Sequence, residues 1–358
     1  MLSLQKILAS RDNDYTKLAK SFKERTRLDI IKNGWAKKVP LNKSCSIIIP
    51  FYRDQSALKR NLTALAYQDL PPDFKLNKVE IIIIDGGSLL NLRNLVKFIR
   101  RFYFVTYLKL KKNYGRATAR NLGLLYSKND IVIFLDEDIV VSNDFIGSHL
   151  LRHEFLNKCI VVGFRQNIDS RKLLLRMDTG KQIVSRKPDY KNDFRYKRFV
   201  PVEWKGAYND VPFNNFNRTY HLLQETDYFK KFGKGKIIGV WDLPFMFLTC
   251  NASVPRKYIS EVGGFDMRFK GWNLEDTHLG AKLIARGLYL IPNLHATVYH
   301  LVKKVFAKEY RTKMIKEFEK NVKLYKKFKN ENFIIQKEHR WKEKMKRYFT
   351  NKFELIRL

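Results

Sequence analysis

The chain has 358 residues, with 70 Lys and Arg against 35 Asp and Glu, for a formal net charge of +35. At 45% hydrophobic and 14% aromatic it can bury a sizeable core, which excludes wholesale disorder. The positive field favours anionic partners (nucleic acid, an anionic membrane surface, a phosphorylated or acidic substrate) without choosing among them.

The length suits one large α/β domain with additions, or two modest domains. The three cysteines, Cys45, Cys159 and Cys250, are too few and too widely spaced for a disulfide framework or a zinc cluster, so a reduced compartment is expected. Residues 1–10 lack the long apolar core of a signal peptide. The longest apolar runs, 81–84 and 131–135, are too short to span a bilayer. These features predict a cytoplasmic protein whose membrane contact, if any, is peripheral.

In chain order, residues 1–43 read as a basic, helix-like extension. The run Ile47-Ile48-Ile49, stopped by Pro50, predicts a buried strand. Leu58, Leu62, Leu65 and Ala66 follow at helical spacing, and Pro71-Pro72 ends that helix. A second strand, 79–84, closes on Asp85-Gly86-Gly87-Ser88. A helix over about 90–101, a strand over 105–110, a helix over 117–126 and a strand over 131–135 come next, the last closing on Asp136. Continuous apolar strands alternating with helices predict a mostly parallel sheet covered on both faces. Ligands of such sheets bind beyond the carboxyl ends of the strands, where Pro50, Tyr52, Asp85 and Asp136 lie.

Residues 160–240 show weak periodicity and read as short strands and loops for acceptor recognition. Residues 296–299 are strand-like and end at His300. From 301 onward Phe306, Tyr310, Met314, Phe318, Val322, Tyr325 and Phe328 recur at three- or four-residue steps, in a segment with 19 basic and 7 acidic residues. That stripe predicts packing on the catalytic domain for 301–328. Membrane docking stays open for 329–358, where aromatics and lysines mix.

Four constellations carry chemistry. Asp136-Glu137-Asp138, after a buried strand, supplies the carboxylates that Mg²⁺ and Mn²⁺ prefer, or else a solvated acidic turn. The segment from Asn113 to Gly123 puts Arg116 and Arg120 on an early helix turn, where a guanidinium reaches a phosphate or a base edge. Gly263-Gly264-Phe265-Asp266 and then Gly271-Trp272-Asn273-Leu274-Glu275-Asp276 pair an aromatic face for a sugar with carboxylates that can take a hydroxyl proton. Acids in a helix's first turn also suit the macrodipole. A lone His300 is compatible with a structural role or with ligation.

Together these residues resemble glycosyltransferase family 2 and its GT-A nucleotide-diphospho-sugar transferase fold. Pro50-Phe51-Tyr52 resembles the family's Pro-x-Tyr segment. Residues 81–88 resemble its Val-Asp-Asp-Gly-Ser element, with Gly86 in place of the second Asp. Residues 115–123 resemble its Gly-x-x-x-Ala-Arg-Asn-x-Gly helix, and Asp136-Glu137-Asp138 its Asp-x-Asp. Residues 263–300 are similar to the acceptor half of chondroitin-polymerase-type and galactosyltransferase-type members, with Asn273-Leu274 replacing Gly-Gly of the Trp-Gly-Gly-Glu-Asp segment.

The resemblance implies a catalytic domain over 44–302, split into a nucleotide-sugar half (44–145) and an acceptor half (146–302), with a basic helical extension over 303–358. It implies a nucleoside pocket of Pro50, Tyr52 and Asp85. Arg120 would approach the base or diphosphate, and Asp136 would face ribose and metal. Asp138 and His300 would ligate Mn²⁺ or Mg²⁺. Trp272 would stack on a sugar, Glu275 would position a substrate and Asp276 would be the general base, with Glu137 a spacer. The implied reaction moves a hexose or N-acetylhexosamine from a UDP-sugar to a glycan, lipid-linked or peptide acceptor, with inversion. Two rivals remain. A nucleic-acid-binding protein would explain the charge but has no recognition motif here. A nucleotidyltransferase would need a glycine-rich basic loop after the first strand, which Phe51-Tyr52-Arg53-Asp54-Gln55 is not.

Overall fold

A computed structural model of the chain describes residues 2–3, 40–169, 188–193, 195, 243–271, 273–302, 308–328 and 331–357. Strand β1 (Cys45–Phe51) starts the main sheet, and every residue but Pro50 is buried. Helix α1 (Gln55–Ala66) follows, with Asp54 capping it through the Ala57 N–H at 3.0 Å. Then come β2 (Val79–Asp85), α2 (Arg93–Ile99), β3 (Phe104–Leu110), α3 (Arg116–Tyr126), β4 (Ile131–Leu135), the two-residue β5 (Ile139–Val140) and α4 (Phe145–Phe155). The second half adds β6 (Cys159–Asp169), α5 (Leu243–Met246), β7 (Asn251–Pro255), α6 (Arg256–Glu261), α7 (Glu275–Arg286) and the long β8 (Tyr289–Val302). Helices α8 (Lys308–Phe328) and α9 (Glu338–Phe349) and strand β9 (Phe353–Leu355) close the chain.

The sheet order is β9-β3-β2-β1-β4-β7-β6-β8-β5. Strands β3, β2, β1 and β4 are parallel, with Ile47 opposite both Ile81 and Ile133. The rest of the sheet is mixed: β6 runs parallel to β8, whereas β7 runs antiparallel to β4 and β6, β5 antiparallel to β8, and β9 antiparallel to β3. A strand buried on both faces reads the same in either direction, so hydropathy cannot report polarity.

Alternation within each strand feeds two cores. Ile48, Ile82 and Ile84 face α3 and the C-terminal helices. Ile47, Ile49, Ile81 and Ile83 face α1, α2 and α4. Helix α3 lies so close to the sheet that a Cβ on Gly123 would sit 2.6 Å from Ile48 Cγ2 and 2.8 Å from Ile84 Cδ1. The glycine of the family-like helix is therefore a close-packing requirement.

The C-terminal segment is not a loose appendage. Tyr325 and Phe328 of α8, and Trp341, Met345 and Phe349 of α9, are buried in the α3 face, and β9 extends the sheet edge. The apolar face of α9, which the sequence left available to a membrane, is spent on this packing. Among the described residues no helix is long and apolar enough to cross a membrane. Most of the extension over 1–43 and most of the 160–240 region lie outside the described residues; of the former, Leu2–Ser3 form a strand antiparallel to Asn332–Phe333 rather than helix.

Candidate active site

The carboxyl ends of β1, β2 and β4 form the floor of the site. Gly86 N–H donates to the Phe51 carbonyl at 2.8 Å, tying the ends of β1 and β2 together. Tyr52 N–H donates to Glu137 Oε2 at 2.6 Å, tying β1 to the acidic run after β4. Glu137 is thus a strut rather than a spacer, and burial pushes its carboxyl up to about 8. A buried hydrogen-bonding role leaves no signal in a single sequence.

Asp85 is fully buried and accepts from Ser88 N at 2.7 Å, Ser88 Oγ at 3.0 Å and the Tyr107 hydroxyl at 3.2 Å. Both of its oxygens hold the turn after β2. A Cβ on Gly86 would lie 3.2 Å from the Phe51 carbonyl and 3.4 Å from Tyr52 Cδ2, so the space an acid would occupy there is taken by the β1 end. Arg53 stacks its guanidinium 4.7 Å from the Tyr52 ring centroid.

Arg120 is the hub. Nη2 donates to Asp136 at 2.8 Å and Nη1 to Glu275 at 2.7 Å, with the guanidinium 1% exposed. This corrects the expectation that Arg120 meets a base or diphosphate, because both terminal nitrogens are already held by carboxylates. The exposed guanidinium at the start of α3 belongs instead to Arg116. Burial opposes the Asp136 charge, yet Arg120 and then Arg116 hold its carboxyl below the ordinary range.

Glu275 and Asp276 open α7, both buried. Burial, and next the Glu275 charge, push the Asp276 carboxyl up to about 7. A group poised there exchanges a proton near neutrality. Its Oδ1 accepts the Thr277 N–H at 2.8 Å.

Strand β5 pairs antiparallel with β8, with Ile139 opposite His300, and Leu301 N–H donates to the Asp138 carbonyl at 2.9 Å. That pairing sets His300 Nε2 3.3 Å from Asp138 Oδ2. Asn167 Oδ1 lies 2.9 Å from His300 Nδ1. The ring nitrogen and the carboxylate oxygen are close enough to share a proton or a cation. Among the described residues no three His, Cys, Asp or Glu side chains group to hold an ion by themselves. Pro50 lies half-buried at the end of β1, and Trp272 lies outside the described residues.

Residues 46–217 match the family described as "Glycosyl transferase family 2". The chain is 28% identical over 255 residues to a chondroitin synthase of Pasteurella multocida, covering 70% of this chain and 24% of that protein. It is 26% identical over 265 residues to an uncharacterized glycosyltransferase of Bacillus subtilis, YfnE, covering 68% of this chain and 61% of the relative. The chain therefore spans less than two thirds of each relative's length. Among solved structures, S. aureus TarS 1-349 in complex with UDP-GlcNAc shares the fold at TM-score 0.51 and 13% identity, covering 86% of this chain and 72% of that one.

Proposed function

We propose, from the match of residues 46–217 to glycosyl transferase family 2 and from the shared fold, that the chain is a metal-dependent glycosyltransferase. It moves a hexose or N-acetylhexosamine from a UDP-sugar to a hydroxyl acceptor. One observation carries the reading: Arg120 joins Asp136, at the donor-side strand end, to Glu275, beside the candidate base. The acidic run and the carboxylate pair therefore serve one cleft.

In this reading Pro50, Tyr52 and the Asp85 turn line the nucleoside pocket. Asp138 and His300 hold Mn²⁺ or Mg²⁺, with the diphosphate and water supplying the other ligands these cations favour. An ion held there would supply charge neutralisation for the departing diphosphate. Asp276 takes the proton of the acceptor hydroxyl. The freed oxygen attacks the anomeric carbon as the bond to the diphosphate breaks, inverting that centre. Burial, and next the neighbouring Glu275, keep the Asp276 affinity for a proton high. An anionic or membrane-bound glycan acceptor on the cytoplasmic side suits a chain of net charge +35.

The test is a panel of UDP-sugars with Mn²⁺, read for free UDP. UDP release that disappears in Asp138→Ala supports the proposal. Pyrophosphate release from a nucleoside triphosphate, with no UDP from any sugar nucleotide, would replace it with the nucleotidyltransferase reading.

A further inference from the structure

The turn before the candidate base is held in an unfavourable conformation. Asn273 and Leu274 have φ of 76° and 74°, consecutive left-handed residues that are not glycine. Asparagine tolerates this region, but a γ-branched leucine there is strained by about 1–2 kcal/mol. Such a conformation persists only where the surroundings over-determine it. The next two residues are Glu275 and Asp276, so the backbone path of this turn aims both carboxylates.

The surroundings come from the C-terminal helix. Asn321 of α8 is 1% exposed. Its Nδ2 donates to the Asn273 carbonyl at 2.9 Å and to the Lys270 carbonyl at 3.1 Å, spanning the turn. Asn273 Oδ1 in turn accepts the Leu274 N–H at 2.9 Å, and the Leu274 carbonyl accepts the His278 N–H at 3.0 Å to start α7. The Leu274 side chain is fully buried. One turn further along α8, Tyr325 and Phe328 pack on Phe269 and His278, which flank the turn on either side. The aromatics fix the helix against the turn, and the Asn321 amide bonds to its backbone.

We propose that Asn321 is a positioning residue that locks the left-handed pair Asn273-Leu274 and thereby orients Glu275 and Asp276 for transfer. The proposal rests on the transfer reading for what the carboxylates do, and on geometry alone for the lock. It gives the C-terminal helix a role in turnover that its lysine-rich sequence does not suggest.

The experiment compares the full chain with Asn321→Ala, Asn273→Gly and the double variant. Hydrogen exchange reads the lock directly. In Asn321→Ala, amides of 270–276 should exchange roughly tenfold faster while those of 79–85 stay protected, as local opening without global unfolding requires. In UDP-sugar hydrolysis with Mn²⁺, kcat should fall about 10- to 100-fold, with donor KM changed less than about threefold, since a misaimed group costs turnover rather than ground-state binding. Glycine adopts the left-handed conformation without steric cost. The Asn321→Ala loss should therefore shrink in the Asn273→Gly background, as coupled neighbours do. Unchanged exchange at 270–276, equal losses in both backgrounds, or a rise in KM at constant kcat would each overturn the assignment. A wild-type chain that hydrolyses no UDP-sugar would sink the transfer reading alone, and the exchange measurement would then decide the lock by itself.

Discussion

His300 Nε2 faces Asp138 Oδ2 at 3.3 Å across the β5–β8 pairing, although the two residues stand far apart in the chain. If that pair is the protein's share of a cation site, removing either member should remove metal dependence. In Asp138→Ala or His300→Ala, Mn²⁺ affinity measured by titration calorimetry with UDP present should fall about 10- to 100-fold. The fold should persist, because both side chains are partly exposed. Asn167→Ala should give a milder loss through the freed ring. Unchanged Mn²⁺ binding in both single variants would rule the pair out.

Arg120→Met tests the strut. It would leave the buried Glu275 carboxylate without its partner, and the partly exposed Asp136 without one contact, at a cost of about 3 kcal/mol. Chemical denaturation should show that loss. Arg120→Lys should recover only part of it, since one ammonium cannot reproduce two guanidinium contacts.

Asp276 makes a two-part pH prediction. Its folded carboxyl is raised from 3.8 to about 7, by burial first and then by Glu275. Between those values the folded state binds more protons than the unfolded chain. Its contribution to stability is therefore full below about 4 and lost as pH rises through about 7. A base must be ionised to act, so kcat/KM should rise over the same window. Asp276→Asn should abolish turnover yet melt no lower than the wild type at pH 8. A variant that keeps its activity, or a pH profile without that limb, would remove Asp276 as the base.

Trp341 is 1% exposed between α9 and the α3 face. Trp341→Ala should cost about 3–5 kcal/mol, the usual effect of emptying a large buried site. Denaturant unfolding of the full chain checks this. A surface helix kept for lipid would instead lose vesicle binding and keep its stability.

Gly123→Ala should be destabilising despite better helix propensity. Its Cβ would meet Ile48 and Ile84 at under 3 Å, and overpacking of this kind costs about 1–3 kcal/mol. Gain of thermal stability would mean that the helix can lift off the sheet freely.

The strands Ile47–Ile49, 79–84, 105–110 and 131–135 are legible because β-branched and other apolar residues dominate each, and the structure extends them by at most two residues at either end. Pro50, Asp85 and Asp136 were legible as strand-end residues for the same reason. Arg120 was found but misassigned: its position on the helix is local, whereas its partner Glu275 comes from another element. Strand β9 was missed because three residues after a helix carry no periodicity.

Hydrophobic patterning and motif order, both properties of neighbouring residues, thus determined the parallel half of the sheet, the family resemblance and which polar residues stand at the strand ends. Only the tertiary structure decided which of those residues meet. Antiparallel pairing of β5 with β8 brings Asp138 to His300, a buried guanidinium joins Asp136 to Glu275, and Asn321 spans the turn before Asp276. Those contacts depend on strand order, direction and helix docking, which are set by the summed burial of the whole core and are written in no local stretch of the chain.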